Sequence, residues 1–146
     1  MKILVLNGPN LNLLGTREPD HYGNANLTDI QAMCEQAAKS LGHEVVCFQS
    51  NHEGALIDQI HEAGIAYQAG QLLGAVFNPG AFTHTSVALH DAIKGTGLPV
   101  VEVHISNVHA REAFRHHSYI SSVAIGAVVG LGIQGYVLAI QGLVNR

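Results

Sequence analysis

Short apolar runs alternate along the chain with stretches whose apolar residues recur every three or four positions. The short runs are rich in valine, isoleucine and phenylalanine and predict strands, whereas the longer spacing predicts amphipathic helices. A strand, helix, strand alternation of this length indicates a parallel sheet with right-handed crossovers. We therefore expect an α/β protein with a flavodoxin-like, doubly wound, five-stranded parallel sheet. The predicted strands are 3–6, 45–48, 75–77, 100–103 and 123–129.

The helical stretches carry recognisable start and stop signals. The first helix is predicted to begin near Thr28, because Thr28 and Gln31 have the spacing of a capping box, and to end at Gly42. The remaining helices are predicted at about 54–65, 86–94 and 108–116, with a last one from about Ile133.

Length, composition and net charge limit the classes to which this protein can belong. A chain of 146 residues predicts one domain, 1–146, and 47% hydrophobic residues suffice for a full core. The net charge of -4 argues against a nucleic-acid or acidic-membrane partner. The apolar region 123–144 contains five glycines, which favours a strand, a turn and a helix over a membrane span. Because no export signal precedes the first strand, we expect a cytoplasmic protein, with Cys34 and Cys47 as buried thiols.

The fourth predicted strand carries the first candidate chemistry. Glu102 and His104 are two residues apart, so their side chains should point the same way. The carboxylate would fix the tautomer of the imidazole and favour its protonated form, and Ser106 with the amides after it could hold an anion. Arg111 and Arg115 follow in a chain with only 12% charged residues. The alternative is a structural polar pair and a solvated helix face.

The stretch 7–23 after the first strand is too long for an ordinary connection of about 2 to 6 residues. Long loops in compact domains are often lids, and we expect a lid around residues 15–24 that carries Arg17 and Tyr22. The alternative for Tyr22 is an amphipathic surface tyrosine. Asn12 is a candidate site residue, or else a local turn cap.

A turn signal, Asn78-Pro79-Gly80, follows the third strand. His84 and Asp91, seven residues apart, are predicted on one face of a helix that begins near Thr85. A structural interpretation makes His84 a helix cap and Asp91 a solvated helix charge.

Residues 130–135 match the glycine pattern of dinucleotide-binding loops. The pattern ends 11 residues before the C-terminus, so no second strand with an acidic residue about 20 positions on can follow. We interpret these glycines as sites of close helix packing.

Four blocks of the sequence carry a family resemblance: 6–15 with Arg17 and Tyr22, 49–54, 77–86, and 102–112 with Phe114 and Arg115. In order and in spacing these blocks closely resemble the type II 3-dehydroquinate dehydratases. The departures are Phe82, where a tyrosine is frequent, and His90, where an arginine is common.

The resemblance implies that water is removed from 3-dehydroquinate to give 3-dehydroshikimate, without metal, cofactor or Schiff base. A base takes a proton beside the ketone, an enolate forms, and an acid protonates the departing hydroxyl. By similarity Tyr22 is the base and His104 the acid. Arg17, with Arg111 as a second candidate, would favour the tyrosinate.

The resemblance also implies roles for the remaining residues. Asn12 would stabilise the enolate, and Glu102 would keep His104 protonated. The Ile105 amide and Ser106 would hold the substrate carboxylate. Asn78, His84 and Arg115 would bind the ring hydroxyls of the substrate. The resemblance further implies trimers assembled into a dodecamer, in which Asp91 would reach the site of a neighbouring subunit.

Two other classes stay open at this point. One is a flavodoxin-like module that binds a nucleotide or a flavin. The other is a metal protein built on the 10 histidines.

Overall fold

The computed structural model describes residues 1–16 and 23–146. Arg17, Tyr22 and most of the predicted lid lie outside the described residues. The five strands are all parallel and lie in the order β2-β1-β3-β4-β5, which confirms the flavodoxin-like α/β prediction. Their bounds are Lys2–Asn7 (β1), Glu44–Gln49 (β2), Leu72–Asn78 (β3), Val100–His104 (β4) and Gly126–Val129 (β5).

Within the described residues, four α-helices cover the two faces of the sheet. Alternation along β1 decides which side chain faces which layer: Ile3 and Val5 point to one face, and Leu4 and Leu6 to the other. The first face packs against α1 and α4, and the second against α2 and α3. The helices are Leu27–Ser40 (α1), Glu53–Gln68 (α2), Val87–Thr96 (α3) and Gln134–Val144 (α4).

The start of α1 differs from the prediction. The helix cap is Asn26, whose side chain accepts a hydrogen bond of 3.0 Å from the Asp29 amide. Asp29 in turn accepts from the Asn26 amide at 3.0 Å. This pair has the same spacing as Thr28 and Gln31, and asparagine is a stronger cap than threonine, so the capping box lies two residues earlier.

The predicted helix over 108–116 was wrong. Two short 3-10 turns, Val108–Ala110 and Ala113–Arg115, occupy this stretch. Between them Arg111 is extended, with φ −108° and ψ −166°, which no α-helix accommodates. This backbone lets the Arg111 side chain return to Ser106, so a side-chain contact within the loop prevails over a short periodic pattern.

The last predicted strand was too long at its start. Ser121–Val123 forms a 3-10 turn, and β5 begins only at Gly126. The turn brings Ser121 towards β4, where its hydroxyl donates a hydrogen bond to Glu102.

The two cysteines are free thiols. Cys34 is buried and Cys47 half-buried, and burial raises their pKa values to about 12 and about 11. Both therefore stay protonated and unreactive near neutral pH. Among the described helices, none is both long enough and apolar enough to cross a membrane.

Candidate active site

The loops that follow β1 and β3 interlock at the carboxyl edge of the sheet. The Gly8 amide donates a hydrogen bond of 2.8 Å to the Asn78 carbonyl. A Cβ on Gly8 would lie 2.3 Å from the Pro79 oxygen, so only glycine allows this approach. Strand order reverses between β1 and β3, and ligands of such sheets bind in the crevice beside this point.

A pocket of about 130 Å³ opens at this edge. It brings together seven of the residues predicted from the sequence. They are Asn78, His84, His104, Ile105, Ser106, Arg111 and Arg115, joined by Pro9, Asn10, Leu11, Gly80, Ala81 and Val108.

His104 and Glu102 form a buried pair at the end of β4. Nε2 of His104 lies 2.6 Å from Oε2 of Glu102, and their exposed fractions are 7% and 1%. The side chains point the same way, as the spacing in the strand predicted. Because Nε2 is engaged with Glu102, Nδ1 is the ring nitrogen that can donate to a ligand in the pocket.

Three hydroxyl groups also contact the Glu102 carboxylate. Thr83 and Ser118 donate to Oε2 at 2.8 and 2.9 Å, and Ser121 donates to Oε1. Burial by itself raises the pKa of Glu102, but the hydrogen bonds and the charge of His104 outweigh it and lower the pKa to about 2. Glu102 is therefore a carboxylate throughout the neutral range.

His84 lies beside His104, with ring centroids 6.4 Å apart and ring planes inclined by 22°. Its Nδ1 donates a hydrogen bond of 2.8 Å to the His117 carbonyl, which leaves Nε2 as an acceptor. Burial is the main cause of a lowered pKa for His84, so the ring is neutral near pH 7.

The structure separates His84 from Asp91, which were predicted on one helix face. His84 ends the 3-10 turn Gly80–His84, and Asp91 lies on the exposed side of α3. The Ser86 side chain, not His84, caps α3, by accepting from the Leu89 amide at 2.9 Å.

A buried network of hydrogen bonds holds the Asn78 side chain in place. Its Nδ2 donates to the Tyr136 hydroxyl at 2.9 Å, and that hydroxyl donates to Oδ1 of Asn7 at 2.6 Å. Its own Oδ1 accepts from the Gly80 amide at 3.1 Å. Burial raises the pKa of Tyr136, so its hydroxyl stays protonated. It donates to Asn7 and accepts from Asn78, which fixes the Asn78 rotamer.

The two arginines of the pocket are held differently. Arg111 Nη1 donates to the Ser106 hydroxyl at 3.3 Å, and Arg115 Nε donates to Glu112 at 2.6 Å. Ser106 is buried, whereas Glu112 is exposed. The pocket thus carries two permanent cations, an arrangement suited to an anionic ligand.

Asn12 is exposed in the turn Leu11–Leu13 and does not line this pocket. Five polar residues around the site were missed by sequence analysis: Asn7, Thr83, Ser118, Ser121 and Tyr136. The three hydroxyl residues contact Glu102, whereas Tyr136 contacts both Asn78 and Asn7. These contacts join distant parts of the chain, and no local spacing signals them.

The glycine-rich stretch 130–135 packs closely at Gly130 and Gly135, as expected, whereas a Cβ on Gly132 would meet no atom within 4 Å. A Cβ on Gly130 would lie 2.9 Å from the Asn107 Cβ, and one on Gly135 would lie 3.4 Å from Val128. Within residues 1–16 and 23–146, no group of three or more histidine, cysteine or acidic side chains has a geometry that could hold a metal ion.

Comparison with known proteins agrees with this geometry. The family model described as dehydroquinase class II matches residues 1–144. A 3-dehydroquinate dehydratase of Marinomonas sp. is 74% identical over 99% of this chain and 96% of the relative. A catabolic 3-dehydroquinase of Aspergillus flavus is 60% identical over 95% of this chain and 89% of the relative.

A solved structure points the same way. The crystal structure of a type II dehydroquinase from Butyrivibrio crossotus superposes with a TM-score of 0.92 at 51% identity, over 100% of this chain and 98% of that one. This chain belongs to the class II dehydroquinase family.

Proposed function

We propose that this chain converts 3-dehydroquinate to 3-dehydroshikimate and water through an enolate, with Tyr22 as the base and His104 as the acid. The activity is the one named for its relatives. The observation that carries the proposal is the buried Glu102–His104 pair beside a pocket that also holds two arginines.

The acid half of the reaction follows from this pair. The departing hydroxyl needs a proton, and a buried carboxylate 2.6 Å from the imidazole stabilises the protonated ring. Glu102 serves as the fixed counter-charge and His104 donates from Nδ1. Because the pair is nearly closed to solvent, its attraction is stronger than it would be in water.

Substrate binding uses the polar edge of the pocket. The substrate is a carboxylate, and the Ser106 hydroxyl with the Ile105 amide receives it, next to the guanidinium of Arg111. Asn78, His84 and Arg115 bind the ring hydroxyls. His84 accepts through Nε2, because its Nδ1 already donates to His117.

The base half lies on the lid around residues 15–24. Tyr22 removes the proton beside the ketone, Arg17 stabilises the tyrosinate, and Asn12 stabilises the enolate. Asn12 is exposed and stands five residues before Arg17 in the sequence. Closure of the lid would bring these groups to the pocket.

Asp91 completes the site of a neighbouring copy in a homo-oligomer of trimers assembled into a dodecamer. Its exposed position on α3 supports this role, because it has no place in the pocket of its own chain. We expect the enzyme in the cytoplasm, with no nucleic-acid or membrane partner.

A direct assay tests the proposed activity. The product is a conjugated enone and absorbs in the near ultraviolet, where the substrate does not. Pure protein mixed with 3-dehydroquinate should give a steady rise in absorbance, and His104→Asn should not. No rise with the unmodified protein would overturn the proposal, and visible absorbance of the purified protein would instead reveal a bound flavin.

A further inference from the structure

The Glu102 carboxylate is surrounded by three hydroxyl groups that lie outside the lining of the substrate pocket. We name Thr83, Ser118 and Ser121 the hydroxyl cradle. All three donate to Glu102, and none of them lines the substrate pocket. With His104, the carboxylate therefore accepts four hydrogen bonds while only 1% of its residue surface is exposed.

Backbone amides orient the Ser118 hydroxyl towards Glu102. Its oxygen accepts from the amides of Ile120 and Ser121, both at 3.0 Å, so its single proton can be given to Glu102. The segment is tied down further by the Tyr119 amide, which donates to the Thr83 carbonyl at 2.8 Å. The cradle is therefore a fixed part of the fold.

A buried carboxylate next to an imidazole can take the proton from the ring nitrogen that faces it, here Nε2 of His104, and the neutral ring that results is a much weaker acid at Nδ1. Burial disfavours charge, and a neutral pair of carboxylic acid and imidazole avoids separated charges in a low dielectric. Hydrogen bonds donated to the carboxylate counteract this by lowering its proton affinity. Three such donors on one carboxylate keep the proton on the ring.

We propose that Thr83, Ser118 and Ser121 are positioning residues for the reaction: their hydroxyls hold Glu102 in its ionised form and in one orientation, so that His104 keeps its Nε2 proton and can act as an acid through Nδ1. This inference rests on the proposed role of His104 as the acid. The cradle acts through Glu102 and touches no substrate.

The cradle lines a second cavity of about 210 Å³, which shares His84, His104 and Arg115 with the substrate pocket. Other basic side chains line this cavity and could also favour an ionised Glu102. They are His84, His109, Arg115, His116 and His117. The experiment must therefore remove a hydroxyl without changing these groups.

Thr83→Val removes only the hydroxyl, because valine and threonine have nearly the same shape. We expect kcat to fall about tenfold or more, because one hydrogen bond to a charged group is lost. KM should stay within about twofold of its value in the unmodified protein. Thr83→Ser keeps a hydroxyl and should recover most of the loss. Thr96→Val, a matched change in α3 far from the pocket, should leave kcat unchanged.

A double-mutant cycle separates positioning from general destabilisation. In a Glu102→Gln background Thr83→Val should cost little further activity, because the group through which it acts is gone. Ser121→Ala, at an exposed position, provides a second variant that should fold and show the same dependence. Unchanged kcat in Thr83→Val, or an equal loss in both backgrounds, would overturn the inference.

A spectroscopic measurement tests the cradle even if the proposed reaction were absent. In protein with 15N-labelled histidine, the imidazole signals of His104 should show a proton held on Nε2 in the unmodified chain. In Thr83→Val and Ser121→Ala these signals should move, whereas they should not in Thr96→Val. A His104 spectrum insensitive to both cradle variants would refute the positioning role independently of turnover.

Discussion

Nε2 of His104 lies 2.6 Å from Oε2 of Glu102, and this pair is nearly inaccessible to solvent. A buried carboxylate is costly unless its hydrogen bonds are satisfied, and here four groups satisfy it. The hydrogen bonds to Glu102 therefore contribute to the stability of the fold as well as to the proposed chemistry of His104.

These hydrogen bonds predict an acid-sensitive contribution to stability. The pKa of Glu102 falls from 4.5 to about 2 in the folded protein, so the folded state binds this proton less tightly than the unfolded state. The resulting stabilisation, on the order of 3 kcal/mol, should be fully present above about pH 5 and be lost as the pH falls to about 2. Urea unfolding at a series of pH values should show this decline.

The matched variant for this prediction is Glu102→Gln, which cannot titrate. The difference in unfolding free energy between the two proteins should shrink as the pH falls from about 5 to about 2. A difference that stayed constant across this range would mean that Glu102 contributes by packing and not by its charge.

The interlocked loops predict a glycine that cannot be replaced. In Gly8→Ala the new Cβ would lie 2.3 Å from the Pro79 oxygen, so the β1 and β3 loops would have to separate. We expect a loss of about 2 kcal/mol or more in unfolding free energy, with a raised KM because Asn78 moves. Gly54→Ala is the control: it meets no atom within 4 Å and should stabilise α2 by about 0.5–1 kcal/mol. Equal stabilities of the two variants would contradict the close approach.

The positions of the lysines predict that no imine forms. The chain has three lysines: Lys2 begins β1, Lys39 lies near the end of α1 and Lys94 near the end of α3. In a parallel α/β sheet these positions lie at the edge opposite the carboxyl ends of the strands, away from the pocket. Borohydride added during turnover should leave the protein mass unchanged. A lysine adduct detected by mass spectrometry would require a Schiff-base mechanism.

The lid variants should separate the base from the group that activates it. A tyrosine with a pKa near 10 must be shifted by about 3 units to ionise at pH 7, at a cost of roughly 4 kcal/mol. One cation about 4 Å away supplies on the order of 4 kcal/mol at an effective dielectric constant of about 20. Arg17→Ala should therefore move the pH profile of kcat/KM upward, so that part of the activity returns as the pH rises.

Tyr22→Phe should remain inactive at every pH and still bind substrate, since the proposed substrate contacts of Ser106, His84 and Arg115 are intact. An active Tyr22→Phe enzyme would remove Tyr22 from the mechanism. A less active Arg17→Ala enzyme with an unshifted profile would assign Arg17 to lid closure or to stabilising the transition state.

Local pattern determined the fold class and the centre of the site. Alternating apolar residues in β1 specify a sheet buried on both faces, and the two-residue spacing of Glu102 and His104 in β4 places them together. Both properties depend on neighbours in sequence and were therefore predictable. The motifs also carried the family resemblance, which the comparisons confirmed.

The tertiary structure decided what surrounds that centre. Thr83 and Ser121 are each 19 residues from Glu102 in sequence, and Ser118 is 16 residues away. They meet it only because the turn after β3 and the connection before β5 fold against the end of β4. The extended Arg111, predicted as helical, has a different cause: its contact with Ser106, five residues earlier in the same loop, outweighs a weak helical preference, and such a contact leaves no periodic signal in the sequence.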